Sequence, residues 1–85
     1  MSPPEIYHSL TPIFRDIFED DAIIVSPELN ASMVEGWTSL ANIRLFLAIE
    51  ENLKLRFDAA EIESVQNVQE LVDLIVKKRS AAGAE

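Results

Sequence analysis

The chain has 85 residues, no cysteine and a net charge of -8, so one small domain with a single thin core is expected. Disulfide staples and thiolate metal sites are excluded, and a reducing cytoplasm is the natural setting. Fifteen carboxylates stand against seven cations, three of which are the late cluster Lys77, Lys78 and Arg79. Such a surface argues against nucleic acid as a partner and for proteins with basic docking patches, unless the acids serve solubility alone.

Ile6, Leu10, Ile13, Phe14, Ile17 and Phe18 recur at spacings of three and four, which predicts a first helix from about Pro4 to Glu19. Pro12 lacks a backbone donor, so the helix is expected to be irregular near Thr11. From Asp20 to Gly36, Asp-Asp, Ser26-Pro27, Asn30 and Gly36 punctuate scattered apolar residues. A long loop that packs its own apolar side chains is expected, as between helices that run parallel. Ala22 to Val25 could be read as a strand, but no second strand is present to pair with it.

Leu40 to about Leu55 has no glycine or proline and is rich in helix formers. At about 100° per residue, Leu45, Phe46, Ile49 and Leu53 share one side and Leu40, Ile43 and Leu47 another. Either this is a middle helix covered on both sides, or one stripe packs the core and the other is a docking face or flanks a cleft. Asp58 to Glu63 can form one short turn capped by Asp58. Ser64 is then expected to cap a last helix carrying Val65, Val68, Leu71, Val72, Ile75 and Val76, with the basic cluster at its end and a frayed tail over residues 80–85. The fold class is all-α, a bundle of three main helices plus one short one, in a single domain over 1–85 with its core at about 5–77. No stretch of 18 apolar residues and no basic-then-apolar start occurs, so neither a membrane span nor export is expected.

Self-contained catalysis is not expected. A Ser-His-Asp arrangement would need the single histidine, His8, to meet Ser39 in space. Asp20-Asp21 and Glu50-Glu51 are adjacent in sequence rather than spaced to share a helix face, so no carboxylate pair or metal site is expected. Ser39, in Gly36-Trp37-Thr38-Ser39-Leu40, offers a primary hydroxyl at a helix start. There the helix dipole favours an attached phosphate, and a second enzyme would supply the base. The simpler alternative is that Thr38 or Ser39 is an ordinary N-cap.

Several ordered segments resemble the acyl carrier proteins. Asn30-Ala31-Ser32-Met33-Val34-Glu35 looks like the segment before that family's modified serine, and Trp37 stands where many polyketide-type carriers have tryptophan. Thr38-Ser39-Leu40 is similar to the family's Asp-Ser-Leu, Ala48-Ile49-Glu50-Glu51 to its Ala-Leu-Glu-Glu, and Ser64-Val65-Gln66-Asn67-Val68 to the Thr-Val-Gln-Asp start of its last helix. The resemblance covers residues 5 to 77.

It implies that Ser39 carries a 4'-phosphopantetheine arm taken from coenzyme A by a phosphopantetheinyl transferase. The arm's thiol would hold an acyl or related group as a thioester for acyl-loading and acyl-processing enzymes. Leu40, Ile43, Arg44, Leu47, Glu50 and Glu51 would form the docking face, with Trp37 and Thr38 as motif neighbours, and Phe46 and Ile62 would border an acyl cleft. A monomeric, cytoplasmic carrier without metal is implied. Thr38 replaces the family's aspartate, and Arg44 and Ala41 stand where acids are common, which implies slower loading by a housekeeping transferase and a specialised lipid or polyketide-type pathway. The rival is a carrier-like helical module that binds proteins and is never modified.

Overall fold

In the computed structural model, which describes residues 2–83, helix α1 spans Pro3–Ile17. Its first turn is closed by the Ser2 amide and hydroxyl, which both donate to the Glu5 carboxylate, while Pro3 fills a position where a missing donor costs nothing. The irregularity expected near Thr11 does not interrupt the helix: α1 continues through Pro12. Thr11 Oγ1 donates to the Tyr7 carbonyl at 2.9 Å. The His8 carbonyl that Pro12 leaves unserved belongs to an exposed turn, where solvent can satisfy it. α1 ends at Ile17, two residues before the expected Glu19, and Glu19 takes a left-handed conformation with φ 51°.

The long connection holds one 3-10 turn, Ala31–Met33, and no strand forms over Ala22 to Val25. Ile23, Leu29 and Val34 turn into the core, as a loop that packs its own apolar residues should. Its backbone also works: the carbonyls of Leu29 and Pro27 accept the amides of Val68 and Gln69 at 2.9 and 3.1 Å. Those amides open the last helix and have no partner within it.

Helix α2 spans Ser39–Leu53, ending at Lys54 in a left-handed conformation with φ 59°. Helix α3 is short, Ala59–Ser64, and the predicted Asp58 cap is present as a reciprocal box with Glu61. Helix α4 spans Val68–Gly83. It begins later than expected, because Asn67 rather than Ser64 caps it: Asn67 Oδ1 accepts the Glu70 amide at 2.9 Å. Ser64 instead closes α3, its hydroxyl donating to the Glu61 carbonyl.

Helical backbone continues to Gly83, past residue 80 where fraying was expected; residues 84 and 85 lie outside the described residues. The basic cluster therefore does not terminate α4. Lys78 pairs with Glu61 at 2.7 Å, and Arg79 donates to the Leu53 carbonyl at 2.9 Å, so the cluster ties α4 to the corner between α2 and α3.

The core joins Ile6, Leu10, Ile13 and Phe14 of α1, Leu45, Phe46, Ile49 and Leu53 of α2, and Val68, Leu71, Val72 and Ile75 of α4. α3 contributes no fully buried residue. It leans on α2 through half-buried Ile62, which makes it the least buried of the helices.

Candidate functional site

Thr38 is the N-cap of α2: its Oγ1 accepts the Ala41 amide and its carbonyl accepts the Asn42 amide. Ser39 is thus the first helical residue and has no capping duty. Its side chain is exposed, and its hydroxyl makes no hydrogen bond among the described residues. The amides of Ser39 and Leu40, the first two of the helix, are likewise without a protein partner there, and they give this end the positive pole of the helix dipole.

Gly36, at φ 88°, turns the chain into this start, a conformation that side chains rarely adopt. Trp37 then fixes the helix against α1. Its indole N–H donates to Asn42 Oδ1 at 2.9 Å, and its ring meets Phe14 edge-on and Phe18 at a tilt, both with centroids 5.5 Å apart. The exposed serine therefore stands on a rigid base.

Ser39 also borders a groove between α2 and α3. Its first section, about 420 Å³, is lined by Ser39, Asn42, Ile43, Ala59, Ile62, Glu63 and Val65. Ile43 and Ile62 continue into a second section of about 350 Å³ with Phe46, Leu47, Glu50, Arg56 and Phe57. Both Ile62 and Phe46, expected at a cleft, line it. Phe57 is fixed in this lining: the ring stands edge-on to Phe46 with centroids 5.0 Å apart, Lys78 Nζ lies 5.4 Å from its centroid, and its amide donates to Glu50 Oε2 at 2.8 Å. Phe57 and Arg56 were not legible as groove residues, since only the packing of the corner behind α2 brings them there.

The two apolar stripes of α2 have different fates. Leu45, Phe46, Ile49 and Leu53 are buried, whereas Leu40, Ile43 and Leu47 remain 60, 50 and 55% exposed. Arg44 and Glu51 are exposed beside that second stripe, and Glu50 is half-buried and accepts the Phe57 amide. The expectation of a docking or cleft-lining stripe fits this arrangement better than that of a middle helix covered on both sides.

Among the described residues His8 lines a depression on α1 with Arg15 and Asp16, whereas Ser39 borders others. No cluster of possible metal ligands occurs among the described residues. Among those residues no helix is long and apolar enough to cross a membrane.

No protein-family model matches the sequence. The solution NMR structure of a holo acyl carrier protein from Geobacter metallireducens is similar to this structure with a TM-score of 0.85 and 34% identity, covering 93% of this chain and 91% of that one.

Proposed function

The chain belongs to the acyl carrier protein family, and from that premise we propose that Ser39 bears a 4'-phosphopantetheine arm and presents acyl groups to enzymes of a specialised lipid or polyketide-type pathway. It is a carrier protein, not an enzyme. The observation that carries the proposal is an exposed hydroxyl, free of capping duty, at a helix start that opens onto an apolar groove. The arm supplies a thiol on which an acyl or related group is held as a thioester.

The residues present fit such a group. Ser39 Oγ forms one phosphoester bond to the incoming half of coenzyme A, the nucleotide half departs, and the serine proton goes to a base of the phosphopantetheinyl transferase. The free Ser39 and Leu40 amides stabilise negative charge next to that bond. Trp37 and Asn42 hold the serine still, so that a long flexible attachment swings from a fixed point. Ile43, Ile62 and Phe46 offer an apolar wall to whatever is attached.

Thr38 adds no negative charge to the surface that the transferase meets. A housekeeping transferase that relies on such charge is expected to load this protein slowly, and Thr38→Asp to speed it. The acyl-loading and acyl-processing enzymes would dock on the α2 face, and the carrier would work as a cytoplasmic monomer.

The proposal is tested by incubating wild type, Ser39→Ala and Thr38→Asp with coenzyme A, magnesium and a broad-specificity transferase, then weighing each intact protein. One phosphopantetheinyl addition to wild type and Thr38→Asp, and none to Ser39→Ala, is expected. Folded wild type that stays unmodified with several transferases would leave an unmodified helical binding module.

A further inference from the structure

The fold uses only half of what the Asn42 side chain offers. A carboxamide has an acceptor oxygen and a donor nitrogen, and here the oxygen is taken: Oδ1 accepts the Trp37 indole N–H at 2.9 Å. An indole nitrogen can only donate, so this contact also decides which end of the amide faces the ring. The nitrogen is left over. Nδ2 makes no hydrogen bond among the described residues. No buried side-chain nitrogen or oxygen there lacks a partner, so the unpartnered Nδ2 stands at the surface.

Asn42 lies three residues after Ser39, which makes the two side chains neighbours on one helix face, with Cβ atoms about 5–6 Å apart. Helical side chains lean toward the N-terminus of their helix, and in α2 that is the direction of the serine. Two depressions border Ser39, one with Ile43 and Ile62 and one with Thr38 and Gln66. Asn42 lines both, so an attachment leaving Ser39 by either route passes it. Asparagine is among the weaker helix formers, and propensity does not account for its place one turn into α2.

We propose that Asn42 binds the arm: its Nδ2–H donates to a phosphodiester oxygen on Ser39 and holds the first bonds of the arm at the mouth of the groove. The phosphodiester is the acceptor that carries charge, and a donor bonds a charged oxygen more strongly than a neutral carbonyl further along. The proposal rests on the carrier reading, since without the arm Nδ2 has only water to serve.

The test follows the side-chain amide of Asn42 by NMR in the full, isotope-labelled chain before and after loading, with loading verified by intact mass. The Gln66 side-chain amide is the internal reference, because Gln66 lines only one of the two depressions. On loading, an Asn42 side-chain proton is expected to move downfield and to exchange with water about tenfold more slowly, as for a hydrogen bond to a charged group. Gln66 should change little.

Asn42→Asp keeps an oxygen for Trp37 and removes the donor. An acid near a helix start favours the dipole, so the variant is expected to stay folded. The phosphorus resonance of its loaded form should be displaced from that of loaded wild type. An Asn42 amide unmoved in loaded wild type, or a Gln66 amide that moves more, would overturn the proposal whether or not the variant loads. A phosphorus resonance identical in the two loaded proteins would overturn the assignment to the phosphodiester. Wild type whose mass is unchanged by the loading reaction would instead overturn the carrier reading.

Discussion

The two faces of α2 are built from the same residue types and differ in what covers them. Leu45, Phe46, Ile49 and Leu53 join one core with buried residues of α1, α4 and the long loop, whereas Leu40, Ile43 and Leu47 remain half exposed or more. Large apolar side chains left half exposed in a row, next to an unengaged serine, are expected of a surface that another molecule covers. One face of the helix therefore maintains the fold, and the other remains available for function.

Substitutions can separate these roles. The largest effect is expected from Phe46→Ala on the enclosed face, a loss of about 3–5 kcal/mol of stability, measured by urea unfolding. A loss below about 1 kcal/mol would mean that the enclosed face is not what holds the bundle.

Thr38→Ala should cost about 1 kcal/mol by removing the cap of α2. It should leave Ser39 open to loading, because the serine is not the cap; loss of loading in a folded Thr38→Ala protein would count against that division of labour.

Leu47→Ser on the exposed face should shift stability by no more than about 0.5 kcal/mol while weakening the binding of partner enzymes. A large loss of stability there would show that the two faces are not distinct.

The smallest effect concerns α3. The Glu61 carboxyl is held below its ordinary value of 4.5 first by the Lys78 ammonium and then by the Asp58 amide. A lowered pKa stabilises the folded state fully above the unfolded value, and that contribution is lost as pH falls through the folded one. Thermal unfolding of wild type and Lys78→Met should therefore differ at neutral pH and converge as pH drops below 4.5. A gap that widens in acid would contradict this assignment.

Much of this division could be read from the chain. Three-and-four spacing separates the stripes of α2 and marks the apolar faces of α1 and α4, because a regular helix converts spacing directly into direction. Capping chemistry is also local, and Asp58 with Glu61 announces α3. The same rule could have located the start of α4: Asn67 with Glu70 has the spacing of a cap and its partner. Val65 continues the apolar spacing of that helix and so made Ser64 look like its beginning.

What depends on distant segments meeting was not legible. Arg79 reaches the Leu53 carbonyl across 26 positions, and the loop carbonyls of Leu29 and Pro27 serve the start of α4; no local pattern encodes either. The position of Ser39 at a helix start follows from the residues around it, whereas the place of Phe57 in the groove lining depends on how the corner folds.

The most direct measurement is the intact mass of this protein isolated from the cells that make it, with fragmentation to locate any added group. A phosphopantetheinyl addition, alone or acylated, on Ser39 is the expected result. A folded, functional protein recovered wholly without that addition would contradict the account.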